Sequence, residues 1–153
     1  MSKSITKLAR ILSSIGQRLE PMTIDEVKKI EQSYNINLPI VYKDFLMVMG
    51  KGAGNFMKGS SVFFNEILSL RSWSNEVLLE NNMPQLNSAV FVFWMHQGYQ
   101  IAYFNLSEGS DPPVYFFSEG KPEKKFELKE PSLTNFFYAQ LKMSFPDITF
   151  QEE

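Results

Sequence analysis

Residues 89–118, AVFVFWMHQGYQIAYFNLSEGSDPPVYFFS, decide the fold class. Two runs within them, AVFVFWM at 89–95 and YQIAYFNL at 99–106, are apolar at odd and even positions alike, as strands buried on both faces are. His96, Gln97 and Gly98 between them suit a short hairpin turn with the glycine at positive φ. The turn signal SDPP at 110–113 introduces a third strand, VYFFS at 114–118, and the charged stretch 120–125 leads to a short fourth, KFELK at 125–129. Strands joined by turns this short pair antiparallel, so the segment reads as a β-meander.

Helical signals lie on either side of it. Ile5, Leu8, Leu12, Ile15 and Leu19 recur at spacings of three and four, with Lys3, Lys7, Arg10 and Arg18 among them, which makes a basic amphipathic helix. Its pattern fits a helix docked on the rest of the chain, and formally also a transit peptide or a membrane-surface helix. No apolar run in it is long enough for a membrane span. Thr23 and Glu26 form a capping box for a helix to about residue 33 that buries Ile24, Val27, Ile30 and Tyr34. Pro39 suits the first turn of the next helix, in which Tyr42, Phe45, Leu46 and Met49 share one face and Gly50 is placed for a left-handed cap. A helix over 73–81 is expected before Pro84, and a last one after Ser132 with Leu133, Phe136, Phe137, Leu141 and Phe145 on its stripe. Helices, then an antiparallel meander of about four or more strands, then a helix make an α+β architecture.

Composition narrows the chemistry. The 153 residues include no cysteine and one histidine, so disulfides, thiolate nucleophiles and cysteine-ligated metals are excluded and at most one imidazole is available. The net charge is −2, unlike the basic domains that grip phosphate backbones. Residues 1–58 carry 9 basic and 5 acidic side chains, residues 59–120 carry 1 and 6, and residues 121–153 carry 5 and 6. The acidic middle, with Arg71 its only cation, is either buried sheet edged by solvated carboxylates or a face that attracts a basic partner.

No assembled chemistry emerges. The loop GKGAGNFMKGSS at 50–61 lacks the spacing of a phosphate cradle, because its glycines follow a helix and Lys58 precedes Gly59. Glu108 with Asp111, and Glu123 with Glu127, lie in polar turns where carboxylates stay solvated and ionised. His96 is expected exposed at a hairpin tip without an orienting acid. Phe91, Phe93, Tyr99 and Tyr103 lack the interleaved cations of a nucleic-acid platform and read as core.

The stretch INLPIVYKDFLMVMGKGAG at 36–54 resembles the hallmark of the SUKH superfamily, the Smi/Knr-type domain named for fungal cell-wall assembly regulators. That hallmark is a capped helix, a Leu-Pro pair followed by a tyrosine and Phe-Leu, and a glycine-containing loop. Leu38, Pro39, Tyr42, Phe45 and Leu46 match it in register and Gly50 opens the loop, while residues 90–106, 114–118 and 133–141 fill the family's later strand and helix positions. Gly50-Lys51-Gly52 stands where the family usually has Asn-Gly-Gly, and residues 95–98 replace a commonly acidic turn.

The length fits a single domain over 1–153, in which an N-terminal helix at 1–19 precedes the core at 20–145 that the resemblance covers, followed by a tail at 146–153. The resemblance implies a non-enzymatic protein-binding domain without catalytic, cofactor-binding or metal residues, and the absence of cysteine makes the cytoplasm its simplest home. The bacterial members it resembles are immunity proteins that neutralise a cognate toxin, often a nuclease; fungal members look like regulatory interaction modules for an endogenous partner. Glu108, Asp111 and Glu119, around the strand turns, are the candidate partner contacts, and the oligomeric state is left open.

Overall fold

In the computed structural model, residues 3–149 are described; residues 150–153 of the expected tail lie outside them. The first helix, α1 (Ile5–Ser14), starts at Ser4, whose side chain accepts from the Lys7 N–H at 3.1 Å. It buries Ile5, Leu8 and Leu12 and ends before Gly16, where φ is +84°. The expected stripe therefore stops short: Ile15 is exposed, and Leu19 belongs to a two-residue strand, β1 (Leu19–Glu20). The helix is docked on the fold. The Tyr138 hydroxyl donates to the Ser4 carbonyl at 2.9 Å, joining positions 134 residues apart.

The second helix, α2 (Ile24–Tyr34), is held by the expected capping box: Glu26 N–H donates to Thr23 Oγ1 at 3.2 Å, and Thr23 N–H to Glu26 Oε1 at 2.9 Å. Val27 and Ile30 are buried, but Ile24, in the first turn, points outward. Asn35 ends the helix in the left-handed region at φ 53°. Pro39 is the N-cap of α3 (Ile40–Met49), one residue before the first turn. No side chain caps that start. Its hold comes from Tyr42, Phe45, Leu46 and Met49, all fully buried at about 1.5–3 kcal/mol each, against about 1 kcal/mol for a cap.

Gly50 departs from expectation. Its φ of −63° and ψ of −20° are right-handed, so positive φ is not why glycine stands there. A Cβ would lie 2.5 Å from the Leu46 carbonyl oxygen and 2.7 Å from Met22 Sδ. Close packing at the end of α3 requires the missing side chain, and it lets Lys51 N–H reach the Glu20 carbonyl at 2.8 Å. That contact opens a small antiparallel pair of β1 with β2 (Gly52–Ala53), in register Leu19 with Ala53.

The main sheet has five antiparallel strands in sequence order: β3 (Ser60–Ser61), β4 (Val90–His96), β5 (Gln100–Asn105), β6 (Val114–Ser118) and β7 (Glu127–Glu130). The meander is as expected, with a short extra strand at the β4 edge. Gln97 and Gly98, both at positive φ (51° and 78°), form the β4–β5 turn. Between β3 and β4 a 3₁₀ turn at Ile67–Ser69 runs into α4 (Leu70–Glu80), so this helix begins three residues before the expected position 73. The last helix, α5 (Leu133–Ser144), is capped by Ser132, which accepts from Asn135 N–H at 3.0 Å.

Both faces of the sheet are covered, which explains strands apolar at every position. Phe91, Phe93, Ala102, Phe104 and Phe116 face the larger core, with α1, α2, α3 and α5. Val90, Val92, Met95, Ile101, Tyr103 and Phe117 face a smaller one, closed by Leu70 and Leu78 of α4. A register shift between Val92 and Trp94 turns two consecutive residues, Phe93 and Trp94, toward the larger core. Tyr42 is at its centre, within 5.4 Å of the Phe91 and Phe104 rings, and Phe45 stacks on Phe137 at 4.3 Å.

Candidate functional site

The three candidate contact acids are each tied into the fold. Glu108, after β5, accepts from the Tyr115 hydroxyl at 3.0 and 3.1 Å and from the Asn105 side-chain amide. Its hydrogen bond raises the Tyr115 pKa above the ordinary phenol value, and burial raises that of Tyr103, which stacks on Tyr115 at 5.6 Å. Both rings stay neutral, and with Phe126 edge-on to Tyr103 at 5.8 Å they make an aromatic cluster on the outer face, the one that α4 partly covers. Asp111 accepts from Thr134 N–H at 2.9 Å and so satisfies an orphan amide in the first turn of α5. Glu119 accepts from the Asn81 amide at 2.8 Å, while Lys124 donates to Asn81 Oδ1 and to the Glu119 carbonyl at 2.5 and 2.9 Å.

These acids are not one patch. Glu119 follows Ser118, which pairs with Gln100 at the start of β5; Glu108 follows the end of β5. One strand length of about 17 Å separates them. Asp111 serves α5 on the other side of the sheet. The expectation of solvated turn acids is corrected at Glu108 and Asp111: both, like Glu119, are half-buried and hydrogen-bonded within the fold.

A second feature is a groove along α4, on the side of that helix next to Tyr34 of α2. Leu68, Ser72, Asn75 and Leu79, at spacings of four, three and four, line it with Tyr34 and Gln85, around a volume of about 490 Å³. Leu68 and Leu79 are 52% and 66% exposed. Glu76 is on its rim, and Asn75 Oδ1 is buried without a hydrogen-bond donor among the described residues. Tyr34 and Arg71 also belong to an adjoining pocket of about 120 Å³, whose apolar wall includes Ile36, Phe91 and Leu106.

Arg71, the one cation between residues 59 and 120, donates to the carbonyls of Val90 and Leu86 at 2.8 and 2.6 Å and to that of Asn87. It fastens the loop before β4. Among the described residues neither Arg71 nor any of the six carboxylates of that segment enters an ion pair. The basic helices and β7 differ, since Lys51 pairs with Glu26 at 2.9 Å, Lys43 with Glu31 at 3.8 Å and Lys121 with Glu127. A helix expected only from position 73 leaves Leu68 outside the stripe 68–79, whose signal in the sequence is the helical spacing of Leu68 and Leu79.

The remaining candidates are accounted for locally. His96 is half-buried in β4, hydrogen-bonded through Nδ1 to Ser60 Oγ at 3.0 Å and stacked on Trp94 at 5.7 Å, so it is not the exposed tip residue expected. The Lys121 hydrogen bond holds the Glu127 pKa low, and Glu123 lies 3.6 Å from Lys125. In the glycine-rich loop the Asn55 N–H donates to Gln17 at 2.7 Å, and Gly52 is in β2. The motif residues Leu38, Tyr42, Phe45 and Leu46 are core, Pro39 caps α3 and Gly50 permits its close packing. Among the described residues no helix is long and apolar enough to cross a membrane.

A family model described as SMI1 / KNR4 family (SUKH-1) matches residues 21–138, more than three quarters of the chain. The match begins just before α2 and ends within α5, so it takes in the whole five-stranded sheet and α4. No curated protein matches the chain.

Proposed function

The chain belongs to the SMI1 / KNR4 family (SUKH-1), and from that premise we propose that it is a non-enzymatic binding domain that neutralises a cognate protein toxin, stoichiometrically and in the cytoplasm. The observation that carries this reading is the character of the outer side. It presents half-buried aromatics and exposed leucines among carboxylates of residues 59–120 that enter no ion pair among the described residues, while Arg71 is turned inward onto backbone carbonyls and Lys124 is held by Asn81 and the Glu119 carbonyl. Apolar anchors among carboxylates suit capture of a basic protein, with the charge accelerating encounter and the anchors slowing release. The resemblance-bearing residues support it too, because Tyr42, Phe45 and Leu46 are fully buried and hold the scaffold together. A specific contact needs about 800 Å² from each partner, an area within reach of a domain of this size.

The test is a toxicity rescue. The C-terminal domain of the adjacent large gene is expressed with and without this chain, and the purified pair is examined for a one-to-one complex. Survival only with the chain, together with the complex, is expected. A neighbour that is harmless, or a chain that neither rescues nor binds, would discard the toxin reading in favour of a module for an endogenous partner. The electrostatic part is probed by Glu76→Lys with Glu80→Lys, which slow association at low salt without touching the hydrogen bonds of Glu108, Asp111 and Glu119.

A further inference from the structure

The groove along α4 has the dimensions and chemistry of a helix-binding site. Building on the protein-binding reading above, we infer that it receives a basic amphipathic helix of the partner, with one apolar side chain entering the adjoining pocket. From Leu68 to Leu79 the stripe extends about 16 Å, three helical turns, with a small residue, Ser72, between larger ones. Such a row accepts the ridge of a second helix, whose contacts recur at i, i+3 or i+4 and i+7. The pocket beside it, about 120 Å³ between Tyr34, Ile36, Phe91 and Leu106, is slightly smaller than the roughly 150 Å³ that accommodates a benzene. A leucine or isoleucine side chain fits that description.

Charge decides the sign of the occupant. Glu76 borders the groove and Glu80 follows one turn later, neither in an ion pair among the described residues, while the Arg71 guanidinium is bound to three carbonyls. Asn75 Oδ1, beneath the groove, is a buried acceptor without a donor among the described residues, which adds to the negative potential there. The one cation lining the groove, Arg71, has its guanidinium occupied by those carbonyls, and the carboxylates of Glu76 and Glu80 beside it disfavour an anionic helix. The chain's own basic helix α1 is not the occupant, because its apolar face is buried with Ile5, Leu8 and Leu12 in the larger core.

The chain has no cysteine, so Ser72→Cys places a single thiol in the groove for an environment-sensitive fluorophore, and Met143→Cys, at an exposed position of α5, gives a control. The probe is a synthetic helical peptide of about 16 residues with leucines on one face and lysines elsewhere. Two further peptides exchange its lysines for glutamates or its leucines for serines. A saturable change is expected at position 72 with the leucine–lysine peptide alone, at least tenfold weaker in affinity after Leu79→Glu or after Glu76→Lys with Glu80→Lys. Leu79 is 66% exposed, so its substitution leaves the melting temperature in place; Leu79→Ser serves if it does not. An equal response to either exchanged peptide, or at position 143, overturns the inference. Peptide binding by a chain that fails the toxicity rescue retains the groove and discards the toxin reading; full rescue by the Leu79→Glu, Glu76→Lys, Glu80→Lys chain does the reverse.

Discussion

Replacing Tyr42 by phenylalanine should stabilise the protein. Tyr42 is fully buried within the larger core, and its hydroxyl has no hydrogen-bond partner among the described residues. Burial pushes the phenol pKa far up, the electrostatic counterpart of the same desolvation. A buried hydroxyl without a partner costs about 1–3 kcal/mol relative to water. The ring contacts with Phe91, Phe93 and Phe104, at 5.4, 6.2 and 5.4 Å, are kept in the variant. Tyr42→Phe should therefore gain about 1 kcal/mol, or about 2–4 °C in melting temperature for a chain of this length. Tyr42→Ala removes the ring and should lose about 3–5 kcal/mol. Urea unfolding followed by circular dichroism gives both values, provided the denaturant slope is unchanged. A loss of 1 kcal/mol or more in Tyr42→Phe would refute the reasoning, because the hydroxyl would then be making a favourable bond.

Three further outcomes follow from local geometry. The Thr23 backbone hydrogen bond, and then the Lys51 hydrogen bond, hold the Glu26 pKa below its ordinary 4.5. The unfolded chain therefore binds the extra proton first, so this contribution is in place above about pH 4.5 and is lost as the pH falls through the folded value. Glu26→Gln, which retains the capping bond, should flatten the acid limb of a melting-temperature profile; an unchanged limb refutes the assignment. Gly50→Ala should cost about 1–3 kcal/mol through the clash with Leu46 and Met22, and a neutral result in urea titration would mean that Met22 moves aside freely. Arg71→Lys loses the planar fork that reaches three carbonyls and should cost about 1.5–3 kcal/mol. Amide exchange at Val90, whose N–H donates to Asn87, should then accelerate, and retained protection would count against the clasp.

Signals that depend on burial or on neighbours in the chain were legible in the sequence. The two-faced strands, the Tyr42 to Met49 stripe and the Thr23–Glu26 box all fall where the residue pattern places them. Non-local approach was not legible. Ser60 and Ser61 have no strand pattern and become β3 only because His96 and Met95 lie opposite. Gly50 was expected to supply a left-handed turn, but its role is set by Met22, 28 positions earlier. Glu108 and Asp111 read as solvated because their partners Tyr115 and Thr134 are 7 and 23 positions away, and nothing local ties Glu119 to Asn81, 38 positions earlier. The groove needed Tyr34 and Leu79 to meet across two helices.

The two tryptophans have different surroundings. Trp94 is buried between Phe116 and Phe136 with its ring nearly parallel to His96, whereas Trp73 is 38% exposed on α4 beside Ser72. Their intrinsic emission should differ accordingly, blue-shifted for the first and red-shifted for the second. Unfolding of the sheet should red-shift the buried indole, while a ligand settling on α4 should shift the exposed one. Loss of the sheet and occupation of its outer side thus become separable optical events in an unlabelled sample, with Trp73→Phe assigning the two signals.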